Sequence, residues 1–79
     1  MTIKEHDCVV LTADLPKEGL KAGDVGTVVH IHGNDAAYEL EFMTFAGKTI
    51  AVATVEASDV RRVGERDVSH VREFQSAQR

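Results

Sequence analysis

The chain has 79 residues, 43% of them hydrophobic, one cysteine and a formal net charge of −4. At this length it makes one domain that buries only roughly 60% of its unfolded surface, which leaves room for a surface site but not for a deep enclosed cavity. A single cysteine excludes an internal disulfide framework, and no window approaches the ~18 apolar residues of a membrane-spanning helix. The first residues, Met1 to Asp7, contain no apolar run of the signal-peptide kind, so a reducing, cytoplasmic setting is expected. Charge is uneven along the chain. Residues 1–60 carry four lysines against ten acids, whereas residues 61–79 carry five arginines against three acids. An acidic body argues against sequence-independent binding to a phosphate backbone, which needs clustered Lys and Arg, and fits a basic protein partner better.

In chain order, Asp7–Leu11 is a short apolar run between polar residues and reads as a first strand buried on much of its surface. Thr12–Ala22 holds the only proline, Pro16, with Gly19 and four charges, and reads as a solvent-exposed loop between two paired strands. Loops of this length in compact domains are often functional. A second strand covers Val25–His32 after the Gly23-Asp24-Val25-Gly26 turn, with Val25, Thr27, Val29 and Ile31 expected to face the core. Gly33-Asn34-Asp35 supplies hairpin-turn chemistry.

Tyr38–Phe42 alternates strictly, placing Tyr38, Leu40 and Phe42 inward and Glu39 and Glu41 outward. Phe45–Lys48 reads as a turn with Phe45 buried, Thr49–Val55 as a fourth strand, Glu56–Val60 as one 3₁₀ turn, and Val60–Val63 as a fifth strand. The expected fold is therefore all-β, a small barrel of about five strands spanning residues 1–63. In the tail, 64–79, Val68, Val71 and Phe74 recur every three residues behind Asp67 as a cap, the pattern of a short amphipathic helix.

Candidate chemistry is sparse. Cys8 with His6 two residues away could in principle form a nucleophile and base, but Cys8 opens an apolar strand and reads as a small core residue. His6-x-Cys8 and His30-x-His32 offer ligand types for zinc without a known zinc spacing. No catalytic residue, metal or cofactor is assigned. Pairing of the second and third strands would set His30 and His32 beside Glu39 and Glu41, a patch that could respond to pH near neutrality. The glycine-rich turn lacks the lysine, hydroxyl and spacing of a phosphate cradle. Arg61, Arg62, Arg66 and Arg72 keep an RNA-binding reading open, with few aromatic residues to stack on bases.

The combination of Asp7-x-Val9-Val10-Leu11, Asp14-Leu15-Pro16, Gly19-Leu20, Gly23-Asp24-Val25-Gly26-Thr27-Val28-Val29, Tyr38-Glu39-Leu40-Glu41-Phe42 and Val60-Arg61 resembles a family of short bacterial proteins defined only as a domain of unknown function. The resemblance spans about residues 7–63 and carries no established activity. It implies an SH3-like β-barrel, the general shape of KOW-type RNA-binding modules, of the small barrel subunit of photosystem I and of the nitrile hydratase β-subunit barrel. It also implies the company of toxin, antitoxin and immunity proteins. Fold alone does not settle function.

Together these features lead to a non-catalytic protein-binding module of the antitoxin or immunity type. Asp14, Glu18, Asp35, Glu39 and Glu41 would meet a basic toxin, and the Thr12–Ala22 loop would add shape. A KOW-like RNA or ribosome-associated module and an accessory subunit of a larger enzyme are the alternatives. No membrane partner is expected, and the oligomeric state is left open, a homodimer included.

Overall fold

The computed structural model describes residues 2–75. Five strands form one antiparallel sheet: β1 Cys8–Leu11, β2 Val25–His32, β3 Ala37–Met43, β4 Thr49–Glu56 and β5 Val60–Arg62. The spatial order is β4-β3-β2-β1-β5. The only helical turns among the described residues are two 3₁₀ turns, Pro16–Glu18 and Ala57–Asp59, the second leading directly into β5. This is the all-β arrangement that the sequence predicts, with the 3₁₀ turn before the last strand in its expected place. No ladder joins the outer strands β4 and β5, so the sheet curls around its core without closing. No helix among the described residues is long and apolar enough to cross a membrane.

One core is shared by all five strands. Val9 and Leu11 of β1, Val28 of β2, Tyr38, Leu40 and Phe42 of β3, Ala53 and Val55 of β4 and Val60 of β5 join Leu20 of the long loop in a single buried cluster. The strict alternation of β3 is realised as predicted, inward at Tyr38, Leu40 and Phe42. Gly26 stands directly opposite Val9 on β1. On the other side the Phe42 ring covers it so closely that a Cβ at Gly26 would lie 2.9 Å from Phe42 Cε2. Only a residue without a side chain lets that ring cross β2 to complete the core.

The inward set of β2 differs from the predicted one. Gly26 and Val28 are buried, whereas Val25 and Val29 are exposed. The ladder explains the change: Val28 pairs with Leu40 but His30 pairs with Glu39, leaving Val29 as an extra residue in a bulge. A bulge shifts the side-chain phase by one, so Ile31 packs inward as expected while Val25, Thr27 and Val29 do not. A second irregularity, between Phe42 and Met43, leaves Ile50 without a partner on β3.

Three further expectations are corrected. Cys8 is exposed at the entry to β1 rather than in the core, because the burial of that strand begins at Val9. Phe45 projects from the tip of the β3–β4 turn with 86% of its surface exposed. The tail forms no helix over its described part, 64–75, and Val68 and Val71 are exposed rather than docked on one face. Short helices are marginal in water, and here Asp67 closes only a tight turn, accepting from the Gly64 amide at 2.6 Å. The last four residues of the predicted tail, 76–79, lie outside the described residues.

Adding one methyl group at Gly26 forces the buried Phe42 ring aside. Gly26→Ala is expected to destabilise the fold by about 1–3 kcal/mol in denaturant melts. In a Phe42→Leu background the same substitution should cost measurably less, and equal costs in both backgrounds would show that the ring is not the obstacle.

Candidate functional site

Two surfaces collect the chemically active side chains. The first is the outer face of β2, β3 and β4, which follows from the period-two pattern of β3. Glu39 lies opposite His30 on β2 and Thr54 on β4, and Glu41 lies opposite Thr27 and Val52. The His30 and His32 rings meet edge to face at 4.6 Å, and His32 Nε2 is 3.6 Å from Glu39 Oε1. Glu41 accepts a hydrogen bond from the Thr49 hydroxyl. The predicted neighbourhood of His30, His32, Glu39 and Glu41 is thus present, with Glu39 as the carboxylate beside the histidines. None of these strands contains a lysine or arginine.

The second surface is the long loop with the tail laid against it. The loop is not simply a solvent-exposed link. Leu15 and Leu20 pair through both their backbone groups, at 2.9 and 3.1 Å, and fold it into a small hairpin whose Leu20 is buried. Asp14 Oδ1 accepts from the Ala22 amide at 2.8 Å and Asp24 Oδ2 from the Lys21 amide at 2.9 Å, so carboxylates fix both ends of the return segment. Gly19 and Gly23 take left-handed φ values of 73° and 96° at the bends.

Arg72 of the tail reaches this loop. Its Nε donates to Asp24 Oδ1 at 2.9 Å, its Nη2 donates to Asp24 Oδ2, and Nη2 also donates to the Gly19 carbonyl at 3.3 Å. Phe74 packs against the core cluster, with Arg72 Cζ 6.0 Å from its ring centre. Between tail and barrel runs a cleft of about 620 Å³ with Leu20, Val25, Phe42 and Ile50 on the barrel side and Val68 and Val71 on the tail side.

The five acidic residues singled out from the sequence do not form one patch. Glu39 and Glu41 share the sheet face. Asp14 and Glu18 belong to the loop that enters β2 at Val25, and Asp35 sits in the turn that leaves β2 beyond His32, with φ 62°. Of the arginines, Arg61 forks onto Asp67 with contacts of 2.9 and 2.8 Å, Arg62 Nη2 lies 3.9 Å from Asp7, and Arg72 is held by Asp24. Among the described residues no group of three or more His, Cys, Asp or Glu side chains converges as a metal site would require. Sequence reasoning missed Asp24 as a binding residue. It lies in a turn, and its partner is 48 positions away in a segment whose spacing predicts a helix.

Electrostatics mark the two carboxylates that pair with arginine between tail and barrel, Asp24 and Asp67. Burial alone would raise the Asp24 carboxyl, but the Arg72 hydrogen bond, the Lys21 amide and the charges of Arg72 and Lys21 together hold it below the usual range. The Arg61 hydrogen bonds and the Gly64 amide bring Asp67 down to about 2. A carboxyl with a depressed folded value contributes its stability above the unfolded value, about 4, and loses it as pH falls through the folded one. The Gly64 amide, which donates to Asp67, should therefore titrate in an NMR series with a midpoint near 2. A midpoint of about 4, the ordinary aspartate value, would show that the Arg61–Asp67 fork does not persist in solution.

Comparison with known proteins adds the family. No curated protein and no solved structure matches the chain. The profile of a domain of unknown function (DUF4926) matches residues 5–62, which takes in all five strands and the long loop and stops short of the tail. The chain is thus a member of the DUF4926 family, as its loop and turn motifs predict.

Proposed function

We propose that this chain is a non-catalytic protein-binding module that docks a basic partner on the outer face of β2, β3 and β4. The observation that carries the reading is the segregation of charge. That face presents Glu39, Glu41 and Glu56 from strands without a single lysine or arginine, whereas Arg61, Arg62 and Arg72 are each engaged by a carboxylate of their own chain. A face of one sign selects partners of the other sign and speeds their encounter. The edge-to-face histidines beside Glu39 and the exposed Val52 give the same face some apolar contact area.

In its sharpest form the module is an antitoxin or immunity protein that covers a basic toxin in the bacterial cytoplasm. That form rests on the company implied by the resemblance. An RNA-binding module stands second, because phosphate groups would have to compete with Asp67, Asp7 and Asp24 for three of its arginines.

The test is affinity capture of the tagged chain from its native host at moderate salt, followed by measured binding of the retained protein. Reversing Glu39→Lys and Glu41→Lys should weaken that binding by at least about ten-fold, since two charges on the contact face change sign. Arg61→Glu with Arg62→Glu should leave it in place. Binding unchanged by the glutamate reversals would remove the sheet face as the docking surface.

A further inference from the structure

Beyond Asp67 the tail is attached to the barrel at two points instead of along a ladder. Among the described residues, the hydrogen bonds that tie 68–75 to the barrel are those of Arg72, to Asp24 and the Gly19 carbonyl. Two residues on, Phe74 rests against the core cluster. Val68 and Val71 hold little, being 88% and 72% exposed. A segment held by so few contacts is at the low end of local stability and opens readily.

The receiving groove is more firmly built than its occupant. Asp24 is fixed by the Lys21 amide, and with Arg72 seated on it 18% of its side chain is exposed. Beside it the Gly19 carbonyl points at the same guanidinium, and Leu20 and Phe42 provide a buried apolar floor. A half-buried carboxylate with a carbonyl at its side recognises the planar fork of arginine better than an ammonium group. An apolar floor two residues further along takes an aromatic ring. Every one of these groove residues lies within the family domain, residues 5–62, whereas Arg72 and Phe74 lie outside it. The receptor belongs to the domain and the present occupant does not.

We propose that this groove is a docking site for an extended segment of a partner protein that carries an Arg-x-aromatic pair, and that Arg72-x-Phe74 fills it while no partner is bound. The proposal shares with the reading above only that the chain binds proteins. Its site, the loop with the barrel end, is separate from the outer sheet face.

The experiment uses the full chain and a fluorescein-labelled peptide with the sequence of residues 66–75, followed by anisotropy. In the variant Arg72→Ala/Phe74→Ala the chain's own tail is unhooked, so the peptide should bind at least about ten-fold more tightly than to the wild type. Replacing the peptide's arginine at the position of Arg72 by lysine should weaken binding by about five-fold or more, a change that leaves the domain untouched. Glu39→Lys/Glu41→Lys in the unhooked background should keep the peptide bound, which separates this site from the sheet face. Absent binding to the unhooked variant, equal binding to both proteins, or indifference to the peptide's arginine would each overturn the proposal. So would a wild-type dimer in sedimentation velocity that the unhooked variant lacks, because the groove would then belong to the tail of a second copy.

Discussion

The contact between the Phe42 ring and the bare backbone of Gly26 organises the molecule. Gly26 is flanked by Val9 on one strand and covered by Phe42 from the other, so a single missing side chain lets three strands share one core. In a domain this small such a contact weighs heavily, because few residues are fully buried and each large one carries a sizeable share of the apolar burial. The same ring continues outward as the floor of the cleft beneath the tail, together with Leu20. Packing of the core and seating of the tail therefore meet in one side chain.

The bulge at Val29 divides the work of β2. Before it, Gly26 and Val28 face the core shared with β1; beyond it, Ile31 takes over the inward role and His30 and His32 reach the outer face beside Glu39. A regular strand would have carried one phase from end to end, and could not have turned Val28 and Ile31 inward while turning both histidines outward. The placing of both histidines beside Glu39 is thus a consequence of an irregularity in the backbone. The segregation of charge follows from topology in the same way. β5 lies at the far edge of the sheet from β4, and its arginines meet Asp7 and Asp67 there, away from the glutamates of β3.

Much of the fold was legible because it rests on local signals. The alternation Tyr38–Phe42, the branched run Thr49–Val55 and the glycine-bearing turns each specify their element within a few residues. What escaped depends on partners distant in sequence. The inward face of β2 could not be read from Val25–His32 alone, since the bulge appears only when the strand is set against β3. The three-residue spacing of Val68, Val71 and Phe74 is real but local, and the strongest contacts of that segment are Arg72 to Asp24 and Phe74 to the core, neither of which periodicity reports. Of the candidate site, Glu39 and Glu41 were found through strand alternation. Asp24 was not, because its partner arrives from the other end of the chain.

The central claim, that the outer face of β2, β3 and β4 is the docking surface, is tested most directly by backbone amide shift mapping of the labelled chain with its captured partner. The account predicts that the largest changes fall on His30, Glu39, Glu41, Val52 and Thr54, with Arg61 and Arg62 little affected. Changes confined to Arg61–Arg66, appearing with RNA and absent with protein, would contradict it.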